Sequence, residues 1–113
     1  MDELFQVTVR EEAGATVVSA VGEVDVSTAP ELRQRLQEVA EGAQVVVDLS
    51  DVTFLDSTGL GVLVAALKRV RESESGGDLR LVVTRPQVTK VLEVTGLSTV
   101  FSVYPSLDGA LAR

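Results

Sequence analysis

The chain has 113 residues, a formal charge of −7, 45% hydrophobic residues, and neither cysteine nor histidine. The length fits a single domain, residues 1–113, around one core. The missing side chains exclude disulfides, thiol chemistry, zinc sites of the usual nitrogen–sulfur type and histidine-based triads, and no cofactor or metal is expected. The acidic balance argues against a phosphate-backbone binder, so no direct nucleic-acid partner is expected.

Met1–Leu4 is acidic and lacks the basic and apolar regions of a signal peptide. The longest apolar run, Gly59 to Leu67, is about half of the ~20 residues a membrane span needs. A cytoplasmic domain without membrane attachment is the expectation.

Phe5, Val7 and Val9 alternate with polar residues and predict a strand with one wet face. Glu11 to Gly14 is a turn, and Thr16 to Val21 a second strand, so the two form a hairpin. The segment Gly22-Glu23-Val24-Asp25-Val26 is polar and is expected to leave the strand. Thr28, Pro30 and Glu31 give a helix start with a capping-box pattern. Leu32, Leu36, Val39 and Ala40 would be the apolar face, with Gly42 ending the helix.

Gln44 to Leu49, with three consecutive valines, predicts a central strand buried on both faces. Ser50 to Leu55 is expected to be a loop leading to a second helix, roughly Ser57 to Glu72. Leu60, Leu63, Leu67 and Val70 mark its buried stripe, and Lys68, Arg69 and Arg71 suit its C-terminal dipole. Leu79 to Thr84 predicts a strand, Pro86 opens a short helix that Gly96 stops, Leu97 to Tyr104 holds a last strand, and Ser106 to Ala112 a terminal helix. Val45, Val46, Val47, Leu63, Leu67, Leu81, Val83 and Leu92 are expected to be buried. The alternation implies an α/β domain with a mixed sheet of four or five strands and packed helices. The Asp56-Ser57 loop would lie at the carboxyl end of a central strand, where open α/β folds place their sites.

Three segments carry a resemblance: Gly22-Glu23-Val24-Asp25, Val47-Asp48-Leu49 leading to Asp56-Ser57-Thr58-Gly59-Leu60, and Val94-Thr95-Gly96-Leu97. At this spacing they closely resemble the bacterial anti-sigma factor antagonists, the stand-alone members of the STAS domain family. The resemblance covers nearly the whole chain. It implies a phosphorylation switch rather than an enzyme. The unphosphorylated antagonist binds an anti-sigma factor that is itself a serine kinase, and sigma factor is released. Phosphorylation of the serine matching Ser57 ends the binding, and a phosphatase acting on phospho-Ser57 resets the cycle. Partner contact would come from Asp25, Asp56, Ser57, Thr58, Gly59 and Leu60, with a monomer expected when free. A STAS scaffold or accessory module of a stress-signalling or transport complex is the alternative.

Each of these residues also has a plainer role. Ser57 or Asp56 can be an N-cap, Asp25 a solvated loop acid or cap, and Asp48 a structural strand end. Gly59 either keeps the loop slim for a kinase cleft or permits close helix–sheet packing. Leu60 and Val62 read equally as contact surface or core, and Thr58 is a second hydroxyl in the same loop. A nucleophilic role for Ser57 would need a base and an oxyanion hole, and no Gly-x-Ser-x-Gly motif surrounds it.

Overall fold

A computed structural model describes residues 5–112. The Met1–Leu4 segment, with the signal-peptide expectation attached to it, lies outside the described residues. Five strands form one sheet in the order β1-β2-β3-β4-β5. They are β1 (Gln6–Glu12), β2 (Ala15–Val24), β3 (Gln44–Leu55), β4 (Asp78–Val82) and β5 (Ser102–Tyr104). The first pair is antiparallel and every later pair is parallel, giving the expected mixed sheet. The β1–β2 hairpin turns on Ala13 and Gly14, with φ of 53° and 79°, the left-handed pair that a two-residue turn of matching twist requires.

Helices α1 (Ala29–Gln37), α2 (Ser57–Arg71) and α3 (Pro86–Val94) fill the crossovers, and α4 (Leu107–Leu111) closes the described chain. Leu32 and Leu36 of α1, Leu63 and Leu67 of α2, and Val88 and Leu92 of α3 pack on one sheet face with Val45, Val47, Leu49, Leu79 and Leu81. Among the described residues the opposite face is covered toward the start of β2 and β3, where Ala110 of α4 packs with Ala15, Val17, Val46 and Val82. Burial of this apolar surface is what stabilises the layers. All eight residues expected in the core are buried.

Four expectations need correction. β2 continues through Gly22 and Glu23 to Val24, and β3 through Ser50 to Leu55. Those two extensions pair with each other, with register irregularities between Ser19 and Val21 and between Gly22 and Glu23. At each, β3 carries one residue more than β2, the mark of a bulge. Gly22 sits at the second with φ of 111°, a conformation that side chains resist. The first helix ends at Gln37, well before Gly42, and Ala40 is exposed while Ala29 takes a core position. The fourth correction, to the cap of α1, belongs to the site.

Candidate functional site

Val24 and Leu55, the last residues of β2 and β3, are paired in register. The Asp56 N–H also donates to the Val24 carbonyl at 3.2 Å. The two segments that follow therefore leave the sheet side by side, bringing the Asp25 and Asp56-Ser57 loops to one edge.

The Asp25 loop is held by its own polar groups. Asp25 Oδ1 accepts from the Ser27 N–H at 2.9 Å, the Ser27 hydroxyl at 2.8 Å and the Thr28 N–H at 3.1 Å. The Asp25 carbonyl accepts from Ala29 N–H at 2.8 Å. The hydrogen bond from the Ser27 hydroxyl is the main cause that holds the Asp25 carboxyl below its ordinary pKa. Partial burial opposes it, and the Ser27 and Thr28 N–H groups add to it. Thr28 precedes α1 as expected, but its backbone is already helical, at φ −104° and ψ −24°, and its side chain makes no cap bond. A capping hydroxyl needs an extended backbone to reach forward. The Thr28 hydroxyl instead points back, donating to the Glu23 carbonyl at 2.7 Å and accepting from the Asp25 N–H at 2.9 Å. The Thr28–Glu31 capping box does not form.

At the start of α2 the backbone of Asp56 is extended, at φ −103° and ψ −173°, and its side chain accepts from Gly59 N–H at 3.1 Å. Asp56 is thus the cap, and Ser57 is the first helical residue. Ser57 is exposed and Thr58 half-buried. Of the hydroxyls on the Asp25 loop, that of Ser27 donates to Asp25 and that of Thr28 to the Glu23 carbonyl. Gly59 is buried. A Cβ there would come within 2.6 Å of Leu55 Cδ1 and 2.7 Å of Val24 Cγ1, so its role is close packing of α2 on the strand ends. Leu60 is buried in the same core. The edge presents Asp25, Asp56, Ser57 and part of Thr58, with Gly59 and Leu60 as its underside. Two exposed apolar residues that the sequence pattern does not single out lie beside it: Val26, 73% exposed, and Phe54, 47% exposed. Chemically the edge offers a hydroxyl in water at a helix N-terminus, where free N–H groups and the helix dipole favour an added phosphate, flanked by two acids.

A sheet of this order with the site at the β2–β3 edge defines the class, and the comparisons agree with it. The STAS domain model matches residues 6–110, and the chain belongs to the STAS domain family. Among curated relatives, the anti-sigma-B factor antagonist of Bacillus subtilis is 35% identical over 95% of this chain and 97% of its own. The anti-sigma-F factor antagonist RsfB of Mycobacterium tuberculosis is 36% identical over 93% of this chain and 85% of its own. An anti-sigma factor antagonist from Mycobacterium paratuberculosis, solved by crystallography, superposes with a TM-score of 0.86 at 37% identity, covering 96% of this chain and 92% of that one. No helix among the described residues is long and apolar enough to cross a membrane.

Proposed function

We propose that this chain is an anti-sigma factor antagonist working as a phosphorylation switch in the cytoplasm. Its unphosphorylated form binds an anti-sigma factor that is a serine kinase, freeing a sigma factor. The kinase then phosphorylates Ser57, the complex separates, and a phosphatase restores the free hydroxyl. The names of its relatives support the antagonist role. The observation that carries the switch is the exposure of Ser57 at the first position of α2, beside a half-buried Thr58 and a Ser27 hydroxyl that is donated to Asp25.

A phosphate adds about −1.5 to −2 charges. On the free protein the N-terminus of α2 offsets it. In a complex the same charge is desolvated next to Asp56 and Asp25 and opposite the partner, where mismatched charge costs several kcal/mol. The switch therefore acts on binding and spares the fold. The experiment is titration of the native chain, Ser57→Ala and Ser57→Asp with kinases of the same genome, and intact-mass analysis with ATP. Ser57→Ala is expected to bind and stay unmodified, and Ser57→Asp to bind weakly. Equal affinity of the two variants, or phosphate mapped to Thr58, would refute Ser57 as the switch.

A further inference from the structure

Among the described residues, seven large apolar side chains are exposed, and three of them, Val21, Val26 and Phe54, lie where β2 and β3 end. Strand alternation says how two of them stand. Val24, Leu55 and Val52 are core residues under α1 and α2. Phe54, next to Leu55, and Val21, next to the core residue Ala20, therefore face the opposite side of the sheet. Among the described residues that side is covered by α4, at its other end. Phe54 is paired with Glu23, and Val21 with Asp51. Val21 and Phe54 thus lie on the same face of neighbouring strands, two residues apart along β2 when Phe54 is placed at its partner Glu23. Val26 follows on the Asp25 loop, and Ser57 lies three residues beyond Phe54. Glu23, Asp25, Asp51 and Asp56 surround the strip. One cation reaches this ring among the described residues, Arg85, whose Nη2 lies 3.9 Å from Asp51.

Scattered exposed apolar residues are ordinary. An apolar centre with a charged rim is how protein interfaces are laid out, and here it adjoins the exposed hydroxyl. Gly59 and Leu60 are buried and offer little apolar surface of their own. We propose that Val21, Phe54 and Val26 are the apolar anchor of the partner interface. Affinity resides in this strip and Ser57 gates it. The proposal rests on the switching function above and commits to one occupant, the anti-sigma kinase, through a surface of apolar side chains with lysine or arginine opposite Glu23 and Asp51 and no cation opposite Ser57, so that an added phosphate is desolvated there without a partner charge. The acid ring and the chain's net charge of −7 set that complementarity.

The test is titration of a cognate kinase with the native chain, Phe54→Ser, Val26→Ser, Val26→Glu and Val94→Ser, at low and high salt. Phosphorylation of each is followed by intact mass. Val94 is the matched control: it is also 73% exposed. It ends α3, whose first turn lies by β3, with Gln87 Nε2 donating to the Thr53 carbonyl at 3.4 Å. Phe54→Ser is expected to weaken binding about ten- to a hundredfold, as a central aromatic anchor does. Val26→Ser should weaken it severalfold, Val26→Glu more, and Val94→Ser not at all. High salt should weaken the native complex. Should Phe54→Ser fail to fold, the two Val26 variants, on a loop, decide. If the Phe54 and Val26 variants bind like the native chain while phospho-Ser57 still abolishes binding, the anchor is wrong and the switch stands. If the native chain neither binds nor is phosphorylated, the switch falls and the anchor with it.

Discussion

Gly59 and Gly61 stand two residues apart in α2, and replacing each with alanine should move stability in opposite directions. A Cβ at Gly61 meets nothing within 4 Å. Gly61→Ala therefore gains the helix preference of alanine over glycine, about 1 kcal/mol. At Gly59 the same gain is opposed by overlap with Leu55 Cδ1 at 2.6 Å and Val24 Cγ1 at 2.7 Å. Leu55 can rotate a methyl away. Val24 is fully buried and β-branched, and its Cβ is itself 3.4 Å from the new atom. Overpacking of this kind costs about 1–3 kcal/mol, which leaves Gly59→Ala less stable than the native chain by about 1 kcal/mol. The two variants should differ by about 2 kcal/mol in urea unfolding with unchanged slope, and by about 8 °C in melting temperature at about 4 °C per kcal/mol. Equal stabilisation by both would show that Gly59 does not hold α2 against the strand ends. The placement of Ser57 would then need another explanation.

Asp56→Ala should cost about 0.5–2 kcal/mol in urea unfolding through loss of the cap to Gly59 N–H, and Asp56→Asn much less, since an amide oxygen also caps. The Asp25 carboxyl should titrate below its ordinary 3.8 when followed by carbon NMR, and Ser27→Ala should raise its midpoint by removing the hydroxyl bond. Because the folded value is the lower one, Asp25 contributes stability above its unfolded value, and this is lost as pH falls through the folded value. Phosphorylation of Ser57 should change unfolding free energy by no more than about 1–2 kcal/mol, since the exposed first position of α2 accepts the charge. Collapse of the melting transition would instead point to a switch by local unfolding.

The core and the crossover helices were legible because their apolar residues keep regular spacing. Val45-Val46-Val47 and the Leu60, Leu63, Leu67, Val70 stripe are of this kind, and all are buried. The far half of β3 was not legible. Its core residues Leu49, Val52 and Leu55 recur every third position, because two extra residues are inserted against β2. A period of three among Ser50, Asp51 and Thr53 reads as a loop. The same pairing draws the polar Gly22-Glu23 segment into β2. At the site, the start of α2 was legible from Asp56-Ser57. The reversed role of Thr28 was not, since its backbone angles are set by the Asp25 turn. Phe54 was hidden for the same reason as its strand: without the bulges, no alternation assigns it a side.

The strand order β1-β2-β3-β4-β5 repeats the order of the chain, and this bears on how the protein comes into being. Each new strand pairs with the one just made: the β1–β2 hairpin closes a short loop, and each parallel crossover closes a longer one, as from Thr16 to Val45 or Gln44 to Asp78, at an entropy cost that grows only slowly with length. During synthesis, which delivers the N-terminal part first, β2, α1, β3 and the start of α2 emerge before β4, β5 and α4. All the residues that form the edge around Asp25 and Ser57 belong to that earlier part. The later elements arrive on the other side of β3. They complete the sheet and cover Val46 and Val82 without passing through the edge.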